Sequence, residues 1–146
     1  MENKKSNSET LSEIYRNTQL AIQSISDILP EIEDENIKEE ILREHEEYEK
    51  ICAAATLIAK KNGQELKDPN PLKKAMMWSS IKMNTMTDKS TQHIADMMIQ
   101  GTVMGITSLK KTQTDSRGLL DSEVDSLLKE LISLEEGFER KLKAFL

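Results

Sequence analysis

Apolar residues recur along this chain at intervals of three and four, with an occasional polar residue among them. One series is Leu11, Ile14, Thr18, Ile22, Ile25 and Leu29. A second is Ile37, Ile41, His45, Tyr48, Cys52, Ala55 and Ala59. A last one runs Val124, Leu127, Leu131, Leu134, Phe138, Leu142 and Phe145. Such spacing gathers each series on one face of an α-helix. No segment alternates apolar and polar residues over the length of a strand, so no sheet is expected.

Turn formers and caps bound these helices. Thr10-Leu-Ser-Glu13 matches a capping box and predicts that the first helix starts there, while Pro30 ends it, because the residue before a proline avoids helical angles. The second helix is expected over 35–62, acidic at its start, with Lys60-Lys61 and Asn62-Gly63 at its end. After a loop over 63–70, Asn70-Pro71 restarts a helix as N-cap and first-turn proline. One helix over 71–112 would be roughly 60 Å long at the α-helical rise, about twice the length of the first. A break at NTMTD, 84–88, is therefore expected, giving a short helix over 71–84 and a long one over 88–112. Asp121 caps the last helix. The expected fold is all-α, an antiparallel four-helix bundle. Two helical hairpins are joined by a long crossover containing a short extra helix. It occupies 9–146 as one domain, with 1–8 a disordered tail.

This order of a capped first helix, an acidic turn, a second helix ending in glycine and a crossover resembles the ferritin-like superfamily, especially its small bacterial members. The resemblance implies a pair of irons held by one Glu from each of two helices and a Glu-x-x-His from each of the other two. The chain departs from that set. Leu42 stands three residues before His45, Ser90 three before His93, and no histidine follows His93. A conventional di-iron centre and its oxygen chemistry are therefore not expected.

Charge and composition narrow the partners. The net charge is −6, and residues 31–49 hold ten acids against Lys38 and Arg43. Such a surface repels phosphate backbones, so no nucleic-acid partner is expected. Aromatics are only 3 % of residues, which leaves few stacking platforms for bases or flat cofactors. Cys52 is alone and fits a reducing compartment. No apolar run approaches the roughly 20 residues that span a bilayer, and the N-terminus shows no apolar leader. The expectation is a soluble, cytoplasmic protein without a membrane partner.

Four candidate features remain. His45 and His93, with Asp96 one turn from His93, are the ligands expected for a single transition-metal ion if one binds; otherwise no cofactor is expected, and each histidine simply finds a polar partner. Met97 lies one turn from His93 with further methionines nearby, a set suited to Cu(I) or to filling core gaps. Gly101 and Gly105 allow a close backbone approach, either inside the bundle or at an interface. In AMMW, Met76, Met77 and Trp78 cannot all face one partner on a helix, so part of this segment is expected to dock a second subunit. The leading expectation is a non-enzymatic bundle acting by protein association as a homodimer. Metal binding near His45 and His93, and carriage of a small molecule in the core, are the alternatives.

Overall fold

The computed structural model describes the backbone of residues 2–146 and the side chains from Asn7 onward. Five α-helices follow one another: α1 (Glu2–Ile28), α2 (Glu35–Lys61), α3 (Pro71–Thr87), α4 (Thr91–Asp115) and α5 (Ser122–Lys143). A 3-10 turn at Leu29–Glu31 follows α1, and no strand occurs among the described residues. The chain is all-helical, as its periodicity requires.

Most boundaries fall on the expected residues, for the expected reasons. Asp34 Oδ1 accepts from the backbone N–H groups of Asn36 and Ile37, at 2.9 and 3.0 Å, and so caps α2. Gly63, at φ 65°, supplies the left-handed turn after it. Asn70 Oδ1 accepts from Leu72 N at 2.9 Å and starts α3. The break after α3 lies later than expected, at Asp88–Ser90. There Asp88 Oδ1 accepts from Ser90 N at 2.8 Å and Ser90 Oγ from His93 N at 3.2 Å.

The first helix corrects one expectation. α1 runs through Thr10, which is buried, so Thr10–Glu13 starts no helix. Met1 and the side chains of residues 2–6, where most of the expected tail falls, lie outside the described residues. Asn7 and Ser8 belong to the fold. Asn7 Oδ1 accepts from Asp121 N at 2.9 Å, and its amide donates to Asp121 Oδ2 at 3.0 Å. Asp121 therefore spends its carboxylate on Asn7 and forms no side-chain cap on α5. Gln64 Nε2, just beyond α2, donates to Ser8 O at 2.9 Å and to Ser12 Oγ at 3.0 Å. The end of α2 thus sits against the start of α1.

α1 packs most extensively on α2, and α4 on α5; α2 also packs on α5, and α1 on α4 and α5. Their inward faces merge into one apolar cluster that includes Leu11, Ile14, Ile41, Ile94, Leu128 and Phe138. α3 lies outside, against α1. It is pinned at both ends: Tyr15 Oη donates to Asp68 Oδ1 at 3.0 Å, while Lys82 Nζ and Lys89 Nζ stand 2.6 and 3.0 Å from the two Glu31 carboxylate oxygens.

The buried face of α2 also differs from expectation. It runs Ile37, Ile41, Glu44, Tyr48, Ile51, Ala55 and Ala59, so His45 and Cys52 flank it instead of lying on it. Strict alternation of four and three selects Glu44 and Ile51. Following residue polarity selects His45 in place of Glu44.

Candidate functional site

Two glutamate carboxyl groups lie inside the helical packing, Glu44 on α2 and Glu135 on α5, each only 2 % exposed; a further buried carboxyl, Asp27 on α1, is 7 % exposed and accepts from Gln23 Nε2 at 2.9 Å. Room for Glu135 comes from α4. A Cβ on Gly105 would stand 2.7 Å from Glu135 Oε2, closer than real contacts allow, and 3.2 Å from Asn17 Nδ2, tighter than most. The missing side chain is therefore what lets the Glu135 carboxyl and the α1 amide meet beside α4. Tyr48, one turn beyond Glu44, completes the group.

Electrostatics follow from burial. Removal from water pushes Glu135 up to about 8, against the Asn17 and Tyr48 side chains, which hydrogen-bond the ionised form, while the nearby Glu44 adds to the rise. Burial likewise raises Glu44 to about 7; Lys141 opposes this and Glu40 and Glu47 reinforce it. The Tyr48 hydroxyl is held well above its usual range, by burial first and then by Glu135 and Glu44. Glu44 Oε1, Glu135 Oε1 and Asn17 Oδ1 have no hydrogen-bond partner among the described residues.

These residues do not fit the dinuclear iron centre that the ferritin-like resemblance implies. Around this point α1 supplies an amide, Asn17, and α4 supplies Gly105 with Ser108 three residues on. Glu44 is followed at that spacing by Glu47, and Glu135 by Phe138. Two carboxyls stand where four are needed, and neither histidine of a Glu-x-x-His pair is present.

The expected single-ion ligands are not brought together. No group of three or more His, Cys, Asp or Glu side chains suited to a metal ion occurs among the described residues. His45 Nδ1 lies 2.8 Å from Glu49 Oε1 on its own helix. Asp96 accepts from Gln100 Nε2 at 3.0 Å and is exposed. His93, near the start of α4, has a buried Nε2 with no partner among the described residues.

The two glycines are not equivalent. A Cβ on Gly101 would meet nothing within 4 Å, so only Gly105 serves close packing. The AMMW segment divides in the same way. Met77 packs against the core, while Met76 and Trp78 face outward, with Lys82 Nζ 5.9 Å from the indole centroid.

The outer face of α3 carries a second feature that the sequence reading did not isolate. Leu72, Met76, Ser79, Met83 and Met86 follow one another at steps of four and three, and all are exposed, Met86 by 83 %. This is the spacing of a coiled-coil seam. A shallow groove lined by Ala75, Met76, Ser79, Ser80, Met83 and Asn84 runs along it. The signal lay in the sequence as the same interval that marks the core helices.

No helix among the described residues is long and apolar enough to cross a membrane. Comparison with protein-family models, curated proteins and solved structures finds no match to this chain.

Proposed function

We propose that this protein is a non-enzymatic, ferritin-like antiparallel four-helix bundle that acts by association, pairing with a second copy through the outer face of α3 in a cytoplasmic setting. The bundle reading is supported by the two extensive pairs, α1 with α2 and α4 with α5, and by α3 lying outside them as the crossover. It concerns architecture alone.

The exposed stripe on α3 carries the association. Counted from Ser79, its apolar members lie at −7, −3, +4 and +7, so it reads nearly the same in both directions. A two-fold axis through Ser79 would set two antiparallel α3 helices seam to seam, with small serines at the crossing. The charges agree. Lys73 and Lys74 lie toward the first end of α3, while at the other Asp88, Glu31 and the acidic turn at Glu33–Glu35 outnumber Lys82 and Lys89, which pair with Glu31. Antiparallel pairing brings opposite charges together at both ends. Leu and Met side chains contribute roughly 1.5–3 kcal/mol each when fully buried, which offsets an association cost of about 4–15 kcal/mol when eight of them meet.

Sedimentation velocity tests the reading. The wild-type chain is expected to sediment as a dimer at micromolar concentration. Met76→Glu with Met83→Glu should give a monomer of unchanged melting temperature. A wild-type chain that stays monomeric, or a double variant that stays dimeric, refutes it.

A further inference from the structure

The absence of a fitting metal set leaves two carboxyl groups buried with no stated task, and a distinct inference rests on them. We propose that Glu44 and Glu135 form a proton-holding pair at the centre of the helical packing, a pH-sensitive element that loosens the contact between α2 and α5 when its protons leave.

The geometry carries this. Both side chains are 2 % exposed, and they sit on two helices that pack directly on each other. What faces Glu135 is an amide from α1 (Asn17), a phenol and a carboxyl from α2 (Tyr48 and Glu44), and bare backbone at Gly105 of α4. None of these is a cation. What acts on Glu44 is Lys141 of α5, with Glu40 and Glu47 of its own helix. Lys141 is 58 % exposed along its side chain and stands 3.3 Å from Glu40 Oε1, so its charge is already paired with another carboxylate. An isolated charge in such surroundings neutralises by taking a proton instead of remaining ionised. Each protonated carboxyl regains a donor, and the oxygens of Glu44, Glu135 and Asn17 that lack a partner among the described residues are acceptors by chemistry. The two groups titrate as a pair, so the first proton lost makes the second harder to lose.

The direction of the pH effect follows from linkage. In the unfolded chain both groups release their protons near 4.5, whereas in the folded chain they do so near 7 and near 8. Between these values the folded state binds more protons than the unfolded state, so stability falls as pH rises and levels off above the higher value. This is opposite to a salt-bridged surface carboxylate, which loses stability toward acid.

The test is the urea midpoint from pH 5 to 9 for the wild type and Glu135→Gln. The wild-type midpoint is expected to fall through this range. In Glu135→Gln it should fall less than half as much, and the variant should be the more stable of the two at pH 9. Parallel curves overturn the proposal. Should the variant fail to fold, the side-chain carboxyl 13C resonances of the wild type decide instead. Two glutamates titrating above pH 6 support the pair, and completion of every titration below pH 6 overturns it. Mn2+ or Zn2+ alone, added at pH 8, supplies a further arm. No stoichiometric rise in the midpoint is expected; a rise that disappears in Glu135→Gln overturns the proposal in favour of a bound cation.

Discussion

α5 and α3 are both rich in apolar side chains and use them in opposite ways. Along α5, Val124, Leu127, Leu128, Leu131, Ile132, Phe138 and Leu142 are buried, together with Glu135. Along α3 only Ile81 and Thr85 are buried, while Leu72, Met76, Met83 and Met86 face outward. The same spacing of three and four thus has two meanings. It states which residues share a face, and says nothing of whether that face is covered within the chain or left for another molecule. Length and position separate the cases here: α5 lies among three other long helices, whereas α3 is a shorter connection laid mainly over α1.

The sharpest way to break the contrast is truncation on each helix. Leu131→Ala removes a fully buried side chain and is expected to cost about 2–5 kcal/mol of stability. Met83→Ala, on a side chain that is 69 % exposed, should change stability by no more than about 0.5 kcal/mol at concentrations where the chain is monomeric. Urea unfolding of both variants checks this, and equal losses would remove the distinction between a structural and an associative helix.

The paired glycines sharpen it next, because they predict opposite signs. Gly105→Ala drives a methyl into the Glu135 carboxyl and should destabilise by about 1–3 kcal/mol. Gly101→Ala meets open space and should stabilise by about 1 kcal/mol through helix propensity alone. Thermal melts of the two variants at one pH are sufficient.

The smallest effect belongs to the clamp that holds the end of α3. Hydrogen bonds from Lys82 and then Lys89 lower the Glu31 carboxyl below its usual range. Its contribution is therefore present above about pH 4.5 and lost as pH falls through the lowered value. Glu31→Gln should lower the melting temperature slightly at pH 7 and not at all at strongly acidic pH.

Much of the fold was legible because periodicity and caps reflect local physics. Asp34, Gly63 and Asn70 end or begin helices where sequence rules put them. Thr10–Glu13 misled because a capping box acts only where the chain leaves the helix, and Asn7 and Ser8 extend α1 past it through contacts with Asp121 and Gln64. The interior pair was not legible. Glu44 lies on the buried stripe by spacing, yet a carboxylate is an improbable core residue by polarity, and polarity pointed to His45. What reconciles Glu135 with the interior is a gap on another helix, at Gly105, and no pattern within α5 reports it. The outward stripe on α3 was half visible: AMMW marked the segment, but Leu72, Ser79, Met83 and Met86 mark the face.

The claim that α3 meets its own copy across a two-fold axis is tested most directly by a cysteine at that axis. With Cys52→Ser as background, Ser79→Cys is expected to form a disulfide-linked dimer rapidly under mild oxidation, while a cysteine at the exposed Ser126 of α5 remains monomeric. Ser79→Cys chains that link no faster than Ser126→Cys chains would contradict the account.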